Sequence, residues 1–256
     1  MNRTISFTKR NFLEMRRDVL SYIFCVALPI VMLIIMSVVN ESIPKESGNT
    51  IFRIDNLSGG IGIFSQTFTM LFTALMVSQD RSTSFLTRLF ASPMKSGDFT
   101  GGYVLSMLFI STLQSVIVLI SSWIVSLITK TSLSVPGMLM AFLTLIPTAI
   151  FFIALGMIIG TFFNEKSAPG ICSVIISLGS FVGGIWFDAE STGGILLTIS
   201  KCTPFYYCTK LIRASIHLDF SAEQFLIPLL ITLCGAALLI LLAVYCFKRK
   251  MRADLQ

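Results

Sequence analysis

Hydrophobic residues fall into six long runs separated by polar connections: Val19 to Val39, Leu57 to Ser78, Tyr103 to Ile128, Gly137 to Phe163, Ala168 to Phe187 and Phe225 to Phe247. Each is close to or above the ~20 residues a helix needs to cross the hydrocarbon of a bilayer, and the pattern predicts an all-α membrane protein with six transmembrane helices. Between the second and third runs lies the polar interruption QDRSTSFLTRLFASPMKSGD, Gln79 to Asp98. At about 100° per residue, Phe85, Leu86, Leu89 and Phe90 share one side of a helix, with Ser84, Thr87 and Arg88 opposite. A short amphipathic helix is expected there. Ser82 or Thr83 would cap it, Asp80 would sit at the positive end of its dipole, and Pro93 would end it.

The same reading organises the rest of the chain. In the N-terminal arm, residues 1–18, Ile5, Phe12, Leu13 and Met15 fall within one arc, and the stems of Lys9 and Arg16 can lie along it, as in an interfacial helix. Pro29 should bend the first membrane helix. Asn40 to Asn56, with Pro44 and Gly48, reads as an exposed loop. Asp188 to Glu223 is too long for a structureless connection. Two short helices are expected in it, one running through Ile199 and one after Pro204, with Lys210, Arg213 and His217 in a stripe facing water or the exit of a path. Gly156 with Gly160, and Gly179 with Gly183, form small-xxx-small pairs that let helices approach closely.

Composition and charge decide how these helices sit. With 54% hydrophobic and 12% charged residues, and a mean hydropathy of +0.85, the chain is an integral membrane protein by composition. The net charge of +6 is unevenly placed. One side carries the N-terminal arm (Arg3, Lys9, Arg10, Arg16, Arg17), Arg81, Arg88, Lys95, Lys166 and the tail (Lys248, Arg249, Lys250, Arg252). The other carries Lys45, Arg53, Lys130, Lys201, Lys210 and Arg213. The positive-inside rule then places both termini in the cytoplasm. The first run lacks a small-residue cleavage site and is expected to remain as a signal anchor. Cys25, Cys172, Cys234 and Cys246 lie within runs as small packing residues; Cys202 and Cys208 fall on the outer side, where disulfide chemistry is allowed but the spacing does not decide it.

Several chemistries are excluded. No Asp, Glu, Lys, Arg or His lies within a run away from its ends, which argues against coupling to an ion gradient. No Gly-x-x-x-x-Gly-Lys-Ser/Thr loop is present to cradle a nucleotide. The single histidine, His217, lies outside the runs, so no Ser-His pair can form at depth; neither a catalytic residue nor a metal site is expected. The pattern left is a membrane protein driven by a separate ATPase. The rivals are a gradient-driven carrier or channel, and a membrane-embedded enzyme.

The segments RNFLEMRRDVLSYIFCVALPIVMLIIM, DRSTSFLTRLFASPMKSGDFTGGYVLSMLF with Gln114 following, LGMIIGTFFNEKSAPG, and GGIWFD with LLTISKCTPFYY resemble, in order and over nearly the whole chain, the permease subunit of type-2 ABC exporters of the multidrug or antimicrobial-export kind. The most specific part resembles that family's pattern acidic-Arg-x-x-Gly-Thr-Leu-x-Arg-Leu-x-x-(Ser/Thr)-Pro. Asp80, Arg81, Leu86, Arg88, Leu89, Ser92 and Pro93 match it, while Ser84 and Phe85 replace the Gly-Thr pair. The resemblance implies an elbow helix over 1–18, a coupling helix within 80–95, and a re-entrant helical hairpin over 188–223. It also implies two permeases assembled with two separately encoded ATP-binding subunits, which hold the ATP and Mg; this chain carries no cofactor and no nucleic-acid partner is expected. Asp80, Arg81, Phe85, Leu86, Arg88, Leu89 and Pro93 are the expected ATPase-coupling residues. Ser65, Gln66, Gly179 and Gly183 are the candidates for a translocation path or dimer interface, and the expected cargo is hydrophobic or amphipathic.

Overall fold

A computed structural model describes residues 3–17, 23–43, 50–82, 96–187 and 189–254, and within them the regular structure is entirely helical. The first helix, α1 (Arg3–Arg17), packs on the start of α4 (Ser96–Ile128). A π-helical turn at Ile23–Ala27 leads into α2 (Leu28–Ser42). Next come α3 (Ile54–Ser82), α5 (Val135–Phe162) and α6 (Ala168–Val182). The stretch expected to contain two short helices contains α7 (Ala189–Thr192), α8 (Gly194–Lys201) and α9 (Pro204–His217). Gly193 and Gly194, both at φ above +60°, make the turn between α7 and α8 that a side chain would strain. A second π-helical turn, Ala222–Leu226, opens α10 (Ile227–Asp254).

Among the described residues, five helices are long and apolar enough to cross a membrane: the stretches Ile23–Ser42, Ile54–Ser82, Gly97–Ile128, Val135–Phe162 and Ala222–Lys250. The fifth expected span is shorter than its hydrophobic run. α6 has 15 residues, about 22 Å at 1.5 Å per residue, against a hydrocarbon core of about 30 Å. The helix stops at Val182, the N–H of Gly183 closing on the carbonyl of Gly179, and Gly184, at φ +69°, turns the chain away.

α3 is the axis of the bundle. It packs against α2, α4, α5, α6 and α9, and 89% of its apolar window is buried, compared with 17% for the helix containing α2. Gly156 and Gly160 seat α5 against α3: a Cβ on Gly156 would lie 2.9 Å from Cβ of Thr73, and one on Gly160 would lie 2.8 Å from Cβ of Val77. The pair found in sequence is the seam between the two most closely joined helices.

Candidate functional site

Asp80 and Arg81 occupy the last turn of α3, which runs through them to Ser82, while Thr83 and the helix that Ser82 or Thr83 was expected to cap lie outside the described residues. Ser82 donates its hydroxyl backwards to the carbonyl of Gln79 at 2.9 Å. A carboxylate at a helix C-terminus faces the negative end of the dipole and needs compensation. Arg10 of α1 supplies it, its two terminal nitrogens donating to the two oxygens of Asp80 at 2.8 Å each. The hydroxyl of Tyr103 on α4 donates to Asp80 Oδ2 at 2.6 Å. Asp80 is only 3% exposed, its charge turned into the bundle.

The neighbouring residues extend this knot. Arg10 also pairs with Glu14 at 2.7 Å. Burial and the charge of Asp80 hold the Glu14 carboxyl above its ordinary pKa despite the attraction of Arg10. Arg81 donates to the carbonyl of Gly160 at 3.1 Å and to that of Thr161, capping the end of α5. Gln79 reaches Glu165 at 3.2 Å, just after α5. On the other flank, Thr4 donates to Asp98 at 3.0 Å, and the Phe7 ring meets Phe99 and Tyr103 edge-on at 5.4 and 5.0 Å. Four elements therefore converge on the two ends of segment 83–95. The expected coupling residues Phe85, Leu86, Arg88, Leu89 and Pro93 lie in that segment, outside the described residues.

Ser65 and Gln66 are buried inside the chain. The Gln66 amide donates to Ser115 at 2.9 Å and its carbonyl accepts from Ser111 at 2.6 Å; Ser65 donates to the carbonyl of Gly62 at 2.7 Å. They pin α3 to α4. Gly179 and Gly183 instead lie under Phe205 of α9, where a Cβ would approach the ring of Phe205 to 2.5 Å and its Cβ to 3.0 Å respectively. The four residues do not form one surface.

Beside them lies an apolar cleft of about 430 Å³ between α2, α3 and α6. Met32, Met36, Phe52, Phe64, Ile176, Phe181 and Trp186 line it, with Ser177 and Ser180 as its polar members. Phe64 and Trp186 meet edge-on at 5.1 Å, and the buried Ser180 hydroxyl has no hydrogen-bond partner among the described residues. A rigid aromatic wall with one or two polar groups is how proteins hold apolar small molecules. Sequence reading missed this cleft because every face of an apolar run looks alike; the signal was Ser177 and Ser180 flanking Gly179.

At the far end of the bundle, the stripe of Lys210, Arg213 and His217 lines a polar cavity of about 270 Å³ together with Asn56, Glu190 and Tyr206. Arg213 Nε donates to the carbonyl of Asn56 at 3.2 Å, and His217 Nε2 stands 3.0 Å from Asn56 Oδ1. Glu190 accepts from both Lys210 and Tyr206 at 2.6 Å. Burial alone would raise its pKa, but these hydrogen bonds and the charges of Lys210 and Lys201 outweigh it and lower the pKa. A depressed carboxylate stabilises the fold above its unfolded pKa of about 4.3 and loses that contribution as pH falls through the folded value. Glu190→Gln is therefore expected to lower the thermal midpoint at pH 7, with the gap from the parent closing below about pH 4; a gap constant between pH 3 and 7 would contradict the assignment. Cys202 is exposed and Cys208 buried beside Thr232, and both are free thiols, so the disulfide allowed by their position is not formed.

A family model described as ABC-2 type transporter matches residues 2–217. No curated protein sequence matches the chain. The match spans α1 through α9, taking in the Asp80 knot, the apolar cleft and all but two of the residues of the far cavity. With five helices of membrane-crossing length besides, the chain belongs to the ABC-2 type transporter family, as a multi-pass membrane protein and a permease component.

Proposed function

We propose that this chain is the permease subunit of an ATP-driven exporter, worked by a separately encoded ATP-binding subunit, that moves hydrophobic or amphipathic compounds outward across the cell membrane. The observation that carries the reading is the convergence of α1, α3, α4 and α5 on the ends of segment 83–95, through Arg10, Asp80, Tyr103 and Arg81. A lever needs a rigid root, and buried charge-assisted hydrogen bonds supply one. In this reading α1 is the elbow helix and residues 83–95 contain the coupling helix, with Phe85, Leu86 and Leu89 on the face presented to the ATPase. Asp80 and Arg81 hold that segment in place and do not meet the partner themselves.

α6, short as it is, would serve as a sixth span with the non-helical Gly183 to Phe187 carrying the chain to the outer surface, and α7 to α9 would form the re-entrant outer segment, with both termini cytoplasmic. The apolar cleft supports the cargo class, since its walls are aromatic and thioether groups and it holds no charged side chain. A second permease copy would meet the free side of α6, where Val174, Leu178 and Phe181 are each more than half exposed beside Ser173 and Ser177.

Affinity purification in mild detergent tests the reading. An ATP-hydrolysing polypeptide is expected to co-purify with the parent chain and to be lost from the Phe85→Asp/Leu89→Asp double variant, which inserts normally. Retention of that polypeptide by the double variant would remove the coupling assignment.

A further inference from the structure

The turn between α4 and α5 places a lysine where glycine is usual. The N–H of Thr131 donates to the carbonyl of Ser126, five residues back, at 3.2 Å, and Lys130 just before it stands in the left-handed region at φ 54°. A side chain is strained in this conformation, which is why glycine commonly ends a helix this way. The turn is nonetheless firmly held. The Ser126 hydroxyl donates to the carbonyl of Thr131 and accepts from the N–H of Leu133 at 3.3 Å, the hydroxyls of Thr129 and Thr131 meet at 2.7 Å, and Ser134 caps α5 by accepting from the N–H of Gly137 at 3.1 Å. Lys130 itself is exposed, and its ammonium meets no carboxylate among the described residues.

Next to this turn an apolar furrow of about 450 Å³ runs between the two helices. Val116, Ile120 and Trp123 of α4 face Val135, Leu139 and Phe142 of α5, with the same spacing of four and three residues on each helix. Trp123 and Val135 stand at the end nearer the turn, and seven residues at 1.5 Å each give the furrow a length of about 10 Å. Ile120, Trp123, Val135 and Leu139 are each more than 40% exposed, so it opens outwards. Its lining is wholly apolar except for the Trp123 indole N–H, which has no partner among the described residues. The furrow is a built feature. Ser126 ties the end of α4 to the turn, and the start of α5 is seated on α9, with no room for a Cβ between Gly137 and the carbonyl oxygen of Ile216.

We propose that this furrow holds one acyl chain of a glycerophospholipid with an anionic headgroup, and that Lys130 pairs with the phosphate of that lipid. An empty furrow forfeits the dispersion contacts of its walls, and in a bilayer the filler at hand is a hydrocarbon chain. A helix of another protein fits less well, because close helix packing in membranes relies on small residues and these walls are branched and aromatic. With its chain in the furrow, the lipid brings its ester carbonyls to the level of the Trp123 N–H, the depth at which indole rings settle. Its phosphate then lies at the level of the turn, within reach of the long stem of Lys130. A cation with no carboxylate beside it favours a lipid of net negative charge. In the orientation proposed above the site lies in the outer leaflet, and it does not depend on what the chain transports.

The test uses the full chain with Trp186→Phe, which leaves Trp123 as the only tryptophan, in phosphatidylcholine vesicles. Phosphatidylglycerol with brominated acyl chains, which quench an indole they touch, is compared with phosphatidylcholine brominated in the same way at equal mole fraction. The relative binding constant at Trp123 is expected to favour phosphatidylglycerol about fivefold, the preference that one lysine near a membrane surface confers. Lys130→Arg should keep the preference, and Lys130→Gln, which retains the strained backbone, should abolish it. Val116→Phe fills the furrow and should abolish it too, although Lys130 is untouched; Leu139→Phe fills it from the opposite wall should Val116→Phe fail to insert. Equal quenching by the two lipids, or a preference that survives Lys130→Gln, would overturn the site. A preference that survives the filled furrow would mean that the lysine attracts passing lipid at the surface, and would overturn the chain-binding role. Absence of quenching by either lipid would mean that protein covers the furrow, and would overturn the lipid as its occupant.

Discussion

Arg10→Ala is expected to destabilise the chain far more than Asp80→Asn, although each removes one partner of the same ion pair. Without Arg10 the Asp80 carboxylate, 3% exposed, keeps the hydroxyl of Tyr103 but lies at the negative end of α3 and near the Glu14 carboxylate. Removing the bidentate cation from a buried carboxylate in this way costs about 3 kcal/mol, the lower end of the range for a broken buried pair. Asp80→Asn leaves Arg10 with Glu14 at 2.7 Å and with a side chain that is 32% exposed, so the loss should be nearer 1 kcal/mol. Thermal unfolding in detergent, followed by tryptophan fluorescence, compares the two. Equal losses would mean that the pair is a surface contact and not the root of a lever.

The second large effect is expected at the seam between α3 and α5. A single methyl at Gly160 would lie 2.5 Å from the carbonyl oxygen of Ala74 and 2.8 Å from Cβ of Val77, atoms that cannot yield without moving α3 itself. Gly160→Ala should therefore cost more than the 1–3 kcal/mol of ordinary overpacking, roughly 4 kcal/mol, and sharply reduce the yield of folded protein. Gly170→Ala is the control: no atom lies within 4 Å of the added methyl, and replacing a helical glycine should gain up to about 1 kcal/mol. Similar yields for the two variants would show that α3 and α5 do not meet as closely as described.

Much of this architecture was legible because membrane-spanning helices write their length directly into hydropathy. The bounds of α3, α4, α5 and α10 lie near the hydrophobic runs, and α1, the structured outer segment and the Lys210, Arg213 and His217 stripe follow from periodicity. Pairing was not legible. The partner of Asp80 is Arg10, 70 residues away, and nothing local in either segment names the other. Periodicity marked Gly156 and Gly160 as a close-approach face without saying which helix would fill it. Gln66 was ambiguous for a physical reason: a polar group in an apolar run serves equally to line a path or to bond a neighbouring helix, and here its amide bonds Ser111 and Ser115. The extent of α6 was misjudged because hydropathy runs on through Gly183 and Gly184, where the backbone leaves the helix.

In the function proposed above, the chain is a conduit driven by a separate ATP-hydrolysing subunit. Purified polypeptide should be reconstituted in sealed vesicles loaded with an apolar dye, alone and together with whatever ATP-hydrolysing subunit co-purifies with it, and dye movement followed with and without ATP and Mg. Movement confined to vesicles that contain both polypeptides and ATP is the predicted result. Transport by the chain alone, indifferent to ATP, would contradict it.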